Sequence, residues 1–311
     1  MNFAAMMLVA LAMDLAVGWP AWLYRRIGHP VTWIGAAISG LERRLNTGAE
    51  SAQRVGGVIT LAVVVTAVGV AMLVLQVALP RGWAGVLLGG VLAWPLVAMR
   101  SMHDHVMAVA VPLEARDLPA ARHAVSMIVG RDPAQLDPAG VTRAALESLA
   151  ENTSDGIVAP LFWGVLLGVP GIAAYKAVNT LDSMIGHKSA RYLHFGWASA
   201  RFDDLVNLIP ARLTGLMFAA VSGRPKAAMA TMRRDARKHR SPNAGWPEAA
   251  MAGAMGIRLS GPRSYGDRMT VEPWVNGAAP DPVVPDLARG LALYRAAMAL
   301  MAGGLLVLAA I

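Results

Sequence analysis

Long apolar runs separated by polar segments dominate the chain. Residues 55–79 contain no formal charge, and residues 82–99 form a second uncharged stretch directly after them. The runs at 1–18 and 291–311 have similar lengths and carry one charged residue each. Because a helix of about 20 residues crosses a bilayer, we predict four spans, at 1–18, 55–79, 82–99 and 291–311. The second and third should form a tight helical hairpin.

Two further apolar stretches are interrupted. Residues 156–179 contain a Gly-Val-Pro-Gly break at 168–171, which suits two half-helices with a re-entrant turn as well as one spanning helix. Residues 205–223 contain Pro210 and Arg212, and an Arg is costly when it faces lipid. We expect this second stretch to face protein or the interface, so the pattern leaves four or six spans open.

Three polar segments connect the apolar runs, at 19–54, 100–155 and 224–289. The first and third carry an excess of Arg and Lys, which is typical of cytoplasmic loops. In the second, apolar residues recur at helical spacing between prolines, which predicts short amphipathic helices. Asp137-Pro138 is a typical helix start there. Residues 256–285 are rich in Gly and Pro and are predicted to be loop.

Composition supports a membrane protein. The chain is 56% hydrophobic and only 15% charged, whereas soluble domains contain about 25% charged residues. The net charge of +8 lies in the polar loops, so we expect a lipid bilayer as partner and no nucleic acid. The absence of cysteine excludes disulfides, thiolate metal sites and Cys nucleophiles. We predict an all-α, polytopic integral membrane protein with a single domain over residues 1–311.

A cluster of polar residues lies where residues 100–155 meet the membrane. A helix that starts at Asp137 places Glu147 and Glu151 on one face, with Asn152 and Asp155 following. A solvated acidic helix end is slightly the better explanation on composition alone. The alternative is a metal or acid–base site, since carboxylate oxygens suit Mg²⁺.

Further polar residues follow the Gly-Val-Pro-Gly break. They are Asn179, Asp182, Ser183, Lys188, Arg201, Asp203, Asp204, Asn207 and Arg212. Ionisable residues next to an apolar segment are costly near lipid and tend to mark function. If 205–223 is one helix, Asp204, Asn207 and Arg212 project from overlapping faces. Their spacing does not distinguish metal binding, substrate binding and mutual pairing.

The densest basic run, at 233–240, is typical of an amphipathic helix on anionic lipid. The sequence Ser-Pro-Asn-Ala-Gly-Trp-Pro-Glu follows at 241–248. Its Pro and Gly favour a fixed turn that presents Ser241, Asn243 and Glu248 beside positive charge. This turn is a candidate contact for phosphate or another anion.

Four of these stretches closely resemble the CobD/CbiB family, the membrane-bound adenosylcobinamide-phosphate synthases of cobalamin biosynthesis. They are Glu147–Gly156, Asn179–Lys188, Ala200–Leu213 and Ser241–Gly245, in that order along the chain. The segment from Asp14 to Arg43 is also similar to the opening pattern of that family.

The resemblance implies an acid–amine ligase that uses ATP and Mg²⁺ in the bacterial cytoplasmic membrane. Its corrinoid substrate is (adenosyl)cobyric acid, of which a propionate forms an amide with (R)-1-amino-2-propanol or its O-phosphate. A carboxylate accepts an amine only after activation, because oxide is a poor leaving group. An acyl phosphate is the expected activated form, and phosphoryl transfer requires Mg²⁺ and cationic groups.

The candidate residues can be fitted to this chemistry. The catalytic candidates, as metal ligands and as the base for the amine, are Glu147, Glu151, Asp155, Asp182, Asp203 and Asp204. Glu151, Asp155, Asp182 and Asp204 are the expected Mg²⁺ ligands. Substrate binding is expected from Asn152, Lys176, Asn179, Ser183, Lys188, Arg201, Asn207, Arg212, His239, Ser241 and Asn243.

ATP and corrinoids are cytoplasmic, so the resemblance implies that all four motifs reach one cytoplasmic pocket. This favours four true spans, with 156–179 as a re-entrant hairpin. The rival interpretations are a membrane transporter, of which broken helices are a feature, and a non-enzymatic membrane sensor. Against the transporter, the ionisable residues cluster at segment ends and no inverted repeat is found.

Overall fold

A computed structural model describes residues 1–130, 132–265, 268–270 and 272–311. Nearly all of the regular structure in these residues is helical, which confirms the all-α prediction. The helices are α1 Phe3–Val17, α2 Ala21–Ile27, α3 Pro30–Leu45, α4 Glu50–Ala78, α5 Trp83–Ala93, α6 Met99–Glu114, α7 Leu118–Ser126, α8 Pro138–Thr153, α9 Ala159–Leu167, α10 Val169–Ile185, α11 Trp197–Val206, α12 Leu208–Val221, α13 Pro225–Asp235, α14 Gly245–Met255 and α15 Pro285–Ala310. Short 3₁₀ turns lie at Trp94–Leu96 and Ala236–Lys238, and a π-helical turn lies at Ser154–Val158.

The chain forms two compact units. The first comprises Met1–Ala98, Ala159–Asn207 and Gly304–Ile311, and the second comprises Met99–Val158 and Leu208–Gly303. Each unit therefore contains segments that are distant in the sequence.

The first unit is built around α10, which packs against α3, α4, α9 and α11. Its buried apolar core includes Ile38 from α3, Val64 from α4, Leu181 from α10 and Phe195 from the loop before α11. Burying a side chain of this size stabilises a fold by about 1.5–3 kcal/mol. The core therefore holds the C-terminal half of α10, which carries several candidate residues, against α3 and α4.

The predicted tight hairpin between α4 and α5 is wrong. The connection at residues 79–82 is short, but α4 packs on α3 and α10 whereas α5 packs on α1. Glycines on α5 explain this choice, because a Cβ at Gly89 would lie 2.4 Å from Met6 and one at Gly90 would lie 2.5 Å from Val9. Small residues of this kind let two helices approach closely in a membrane.

The second unit is built around α14, which is buried along most of its length and packs against α8, α12 and α13. The predicted short helices between residues 100 and 155 are confirmed as α6, α7 and α8, and the Asp137 carboxylate caps α8 by accepting from the Gly140 N–H at 2.7 Å.

The prediction of loop over residues 256–285 is partly wrong. The described residues there form four short strands, β1 Leu259–Ser260, β2 Arg263–Tyr265, β3 Arg268–Thr270 and β4 Trp274–Val275. They pair antiparallel as β1 with β4 and β2 with β3. Backbone pairing supplies regular structure where the side-chain pattern shows none.

Several helices are long and apolar enough to cross a membrane. Three segments qualify among the described residues, Glu50–Ala78, Trp83–Glu114 and Pro285–Ala310, of which the second comprises α5, the 3₁₀ turn after it and α6. They overlap three of the predicted spans. The run at 1–18 forms the 15-residue α1, which qualifies only together with Ala21–Leu45, at a bend of 109°.

Both interrupted stretches are broken in the structure. The break at 168–171 separates α9 from α10 at Gly168. Residues 205–223 do not form the single helix that was considered, because α11 ends at Val206 and α12 begins at Leu208. Asn207 lies at this junction.

Candidate functional site

The position of α10 depends on how it begins. Gly168 has φ +72°, a left-handed conformation that glycine adopts readily. The side chain of Gln76, near the end of α4, accepts a hydrogen bond from the Val169 N–H at 2.8 Å. A Cβ at Gly168 would lie 2.2 Å from the Gln76 Oε1 atom. The first turn of α10 is thus fixed to the C-terminal end of α4.

The other end of α10 lies beside the N-terminal part of α4. A Cβ at Gly57 would lie 1.8 Å from the carbonyl oxygen of Phe195, and His194 Nε2 lies 3.4 Å from a carboxylate oxygen of Glu50. From Gly57 to Gln76 a helix rises by about 28 Å, and the 17 residues of α10 rise by about 25 Å. Helix α10 therefore runs back along α4, and the loop after it lies at the end where α4 begins.

Two carboxylates and two cations gather at this end of α10. Burial raises the pKa of Asp182, the charge of His187 opposes that shift, and the negative charge of Asp204 adds to it. Arg201 Nη1 lies 3.4 Å from the Asp204 carboxylate, and Lys188 is within electrostatic range of Asp204. We call Asp182, Lys188, Arg201 and Asp204 the α10 cluster.

Three more predicted residues lie a turn apart on α10. Lys176 and Asn179 are half-buried, and the exposed Ser183 hydroxyl donates to the Asn179 carbonyl at 2.8 Å. Lys176 is also within electrostatic range of His29, whose Nδ1 accepts from the Val31 N–H at the start of α3.

Asp203 and Asn207 form a buried hydrogen-bonded network. The Tyr175 hydroxyl donates to Asn207 Oδ1 at 2.9 Å, and Asn207 Nδ2 donates to the Asp203 carboxylate at 3.0 Å. Tyr175 escaped the sequence analysis, because an aromatic residue inside an apolar run carries no polar signal. This network fixes the C-terminal end of α11 within the first unit.

In the second unit, the acidic residues of α8 lie in different surroundings. Glu147 is 5% exposed and accepts a hydrogen bond from the Ser260 N–H at 2.7 Å, whereas Glu151 is exposed. Asn152 donates to the Ser148 carbonyl at 3.0 Å. Asp155 lies in the π-helical turn, a rare geometry that often occurs at functional sites.

The turn at residues 241–245 is held by its own side chains. The Ser241 hydroxyl oxygen accepts from the N–H groups of Asn243 and Ala244, both at 3.2 Å, and His239 Nδ1 accepts from the Ser241 N–H at 3.0 Å. His239 Nε2 lies 3.6 Å from the buried carboxylate of Glu248. Glu248 is not among the predicted site residues, although it closes the same string of polar and turn residues.

Arg212 from α12 contacts this turn. Its Nη1 donates to the Leu208 carbonyl at 2.7 Å and to Asn243 Oδ1 at 3.2 Å, and its Nη2 lies 3.4 Å from the Pro242 carbonyl. Its guanidinium carbon lies 4.6 Å from the centre of the Trp246 ring, a cation–π distance.

No three His, Asp or Glu side chains among the described residues are grouped so that they could hold a metal ion. Of the four predicted Mg²⁺ ligands, Asp182 and Asp204 lie in the first unit and Glu151 and Asp155 in the second. Mg²⁺ is commonly held by one or two carboxylates together with substrate phosphates and water. The donor set of the α10 cluster fits that kind of binding, and the metal assignment stays a prediction.

A family model described as CobD/Cbib protein matches residues 7–294. The chain belongs to the CobD/CbiB family. A cobalamin biosynthesis protein CobD from Rhodobacter capsulatus is 69% identical over 299 residues, covering 96% of this chain and 95% of the relative. Proteins of the same name from Sinorhizobium fredii and Rhizobium meliloti are 49% identical over 284 residues and 46% identical over 307 residues. They cover 88% and 95% of this chain, and 86% and 93% of their own lengths. No solved structure gives a significant match.

Membership of the CobD/CbiB family confirms the resemblance found in the motifs. It places the chain in cobalamin biosynthesis and implies an enzymatic step on a corrinoid-related substrate. The long apolar helices of this family member are consistent with a membrane protein.

Proposed function

We propose that the protein is an ATP-dependent ligase that joins a propionate of (adenosyl)cobyric acid to (R)-1-amino-2-propanol or its O-phosphate. The observation that carries this proposal is the α10 cluster, in which two carboxylates lie beside two cations at one helix end. Phosphoryl transfer to a carboxylate needs cations that bind phosphate oxygens, and the later attack of the amine needs a group that accepts its proton. The role of the family in cobalamin biosynthesis supports the choice of substrate.

The reaction balances in two steps. A propionate oxygen attacks the terminal phosphorus of ATP, ADP leaves, and an acyl phosphate forms. The amine then loses its proton and attacks the carbonyl carbon, and inorganic phosphate leaves as the amide bond forms. ATP, the propionate and the ammonium group are thus converted into the amide, ADP, phosphate and a proton.

Each member of the α10 cluster receives a role in this scheme. Asp182 accepts the ammonium proton, because its raised pKa makes it a better base than an ordinary carboxylate. Lys188 and Arg201 bind phosphate oxygens. Asp204 would hold Mg²⁺, which would neutralise charge on the phosphates.

We also propose that the α10 cluster faces the cytoplasm. The return of α10 along α4 supports this, because it brings Asp182 to the N-terminal end of α4, where the polar segment 19–54 enters that helix. That segment carries an excess of Arg and is predicted to be cytoplasmic. Residues 156–179 then form a hairpin that returns to its starting side.

The test is a condensation assay with the purified full chain in detergent. Cobyric acid, aminopropanol O-phosphate, ATP and Mg²⁺ are incubated with the protein, and the condensed product is measured by mass spectrometry. We expect Asp182→Asn and Asp204→Asn to lower kcat by at least about 100-fold, the usual range for a lost acid–base group. Asp104→Asn is the matched control, because Asp104 is exposed on α6 and, within the described part of the chain, pairs only with neighbours on that helix.

Oxygen-18 in the propionate carboxylate identifies the activated form. One labelled oxygen in inorganic phosphate supports the acyl phosphate, and label in AMP would instead show an acyl adenylate. Product formation without any nucleotide contradicts ATP dependence. If the folded wild type forms no product under any of these conditions, the ligase assignment is wrong and the transporter or sensor interpretation gains support.

A further inference from the structure

Four arginines in the described residues show two different uses of the same guanidinium edge. In three of them, the edge formed by Nε and Nη2 donates to a carboxylate. Arg191 binds Glu42 in this way, Arg234 binds Asp235, and Arg258 binds Asp281. This side-on fork is the geometry in which Arg binds planar or tetrahedral anions with two parallel hydrogen bonds. In these three cases the chain supplies its own anion.

In Arg212, the edge formed by Nε and Nη2 faces no carboxylate of the described residues. All the acceptors it reaches among the described residues are neutral, and they are the Leu208 and Pro242 carbonyls and the Asn243 amide oxygen. Two of these bonds use Nη1, and Nη2 has only the 3.4 Å contact. The Nε–H donor has no acceptor in the part of the chain that the structure describes. A guanidinium offers five donors, so the fork of Arg212 remains available for a ligand.

A second cation lies beside it. Arg237, in the 3₁₀ turn Ala236–Lys238, is exposed and lies within electrostatic range of Arg212. It forms no hydrogen bond or ion pair with the described residues. Two neighbouring guanidinium groups without a carboxylate repel each other, and an anion bound by both removes that repulsion.

The surrounding turn keeps Arg212 in place. The Nη1 bond to Asn243 and the Trp246 ring hold the guanidinium plane, and the Ser241 hydroxyl fixes the backbone that carries Asn243. A fork that is already oriented loses less side-chain entropy when it binds a ligand.

We infer that Arg212 and Arg237 form a binding subsite for the phosphate group of a soluble phosphate ester. This inference rests on the proposed function only for the identity of the ester. That function supplies two sources of such a group, the amino alcohol O-phosphate and ATP. Arg237 and Trp246 are additions to the residues that the sequence suggested.

Equilibrium binding to the purified full chain in a zwitterionic detergent tests the subsite without any turnover. The probes are aminopropanol O-phosphate, ATP without Mg²⁺ and inorganic phosphate, with unphosphorylated aminopropanol as the control ligand. The variants are Arg212→Lys, which keeps the charge and loses the fork, and Arg237→Gln. Arg233→Gln is the matched control, because Arg233 is an exposed cation of the same basic run with no partner among the described residues.

We expect the Kd of one phosphate ester to rise about 10- to 100-fold in Arg212→Lys, the range for losing a charge-assisted bond. It should rise several-fold in Arg237→Gln and less than twofold in Arg233→Gln. The ester that responds identifies the source of the phosphate. The Kd of unphosphorylated aminopropanol should be the same in all three variants as in the wild type. Thermal unfolding of each variant must match the wild type within a few degrees.

Equal affinity of the wild type and Arg212→Lys for every phosphate ester overturns the subsite, as does a wild type that binds none of the probes saturably. An equal loss in Arg233→Gln also overturns it, because that result indicates only the general positive charge of the run. Selective loss of phosphate binding in a protein that forms no condensed product keeps the subsite and refutes the ligase instead.

Discussion

Replacing Gln76 with Leu should destabilise the start of α10. The Gln76 side chain supplies the acceptor for the Val169 N–H, at 2.8 Å, and the N-cap residue Gly168 has no side chain to replace it. Leu has nearly the same size as Gln and removes only the acceptor. The amide left behind is partly buried at a helix break, where water reaches it poorly.

The size of the effect follows from the cost of an unsatisfied buried donor. That cost is about 1–3 kcal/mol, and the lower half of the range applies because the contact is partly buried. We therefore expect Gln76→Leu to lower the free energy of unfolding by about 1–2 kcal/mol. Gly168→Ala should cost at least as much, because its Cβ would collide with Gln76 and its φ is unfavourable for alanine.

The assay is denaturation of the detergent-solubilised protein, followed by tryptophan fluorescence. Trp163 on α9 is a suitable probe, because its indole N–H donates to the Val206 carbonyl at 3.1 Å within the same unit. Thr66→Leu is the control, since Thr66 is an exposed polar residue of α4 with no partner among the described residues. If Gln76→Leu is as stable as Thr66→Leu, the capping contact does not hold α10 and the reasoning on its return along α4 loses its support.

Three further predictions concern topology and charge. In intact cells, Ser189→Cys should be protected from an impermeant thiol reagent, whereas Arg81→Cys should be labelled. The chain has no native cysteine, so this protein gives no background labelling. Labelling of Ser189→Cys contradicts the cytoplasmic assignment of the α10 cluster. Burial opposes ionisation of Asp235, yet hydrogen bonds from Arg234, Lys238 and the Asn276 N–H lower the pKa of that carboxyl to about 2. Since the folded pKa is below the usual value of 3.8, ionised Asp235 stabilises the fold above that value. This stability should be lost as the pH falls from about 4 through 2. The unfolding temperature of Asp235→Asn should therefore depend less on pH in this window than that of the wild type, and an unchanged pH dependence refutes the assignment. Glu42 is 7% exposed and Arg191 binds it with two bonds of 2.9 Å. A double-mutant cycle with Glu42→Gln and Arg191→Gln should therefore give a favourable coupling energy, and additive effects would show that the pair contributes nothing.

The unbroken hydrophobic runs were sufficient to predict the long helices. Residues 55–79 could form little else than a spanning helix, because a backbone in lipid must satisfy its hydrogen bonds within one segment. The Asp137 cap and the break at Gly168 could also be predicted from the sequence. The cap depends on one carboxylate before a proline, and the break depends on glycine and proline within four residues. Four polar motifs in order were enough to identify the family.

Other features depended on contacts between distant segments. Nothing in the local pattern of α5 indicated that it packs on α1 instead of α4, because that choice comes from glycines meeting Met6 and Val9 across a helix interface. The same limit applies to the junction at Asn207, where Tyr175 on another helix supplies a hydrogen bond.

The sequence alone therefore determined that the chain is a helical protein of cobalamin biosynthesis with helices long and apolar enough to span a membrane, since hydrophobic length and motif chemistry are local properties. Tertiary structure decided which candidates become neighbours. Asp182 lies within electrostatic range of Asp204 because α11 packs against α10. Arg212 keeps a free fork because its neighbours among the described residues are neutral carbonyls and an amide. The physical reason is that the environment of a charge is set by every segment packed around it, and spacing along one segment does not contain that information.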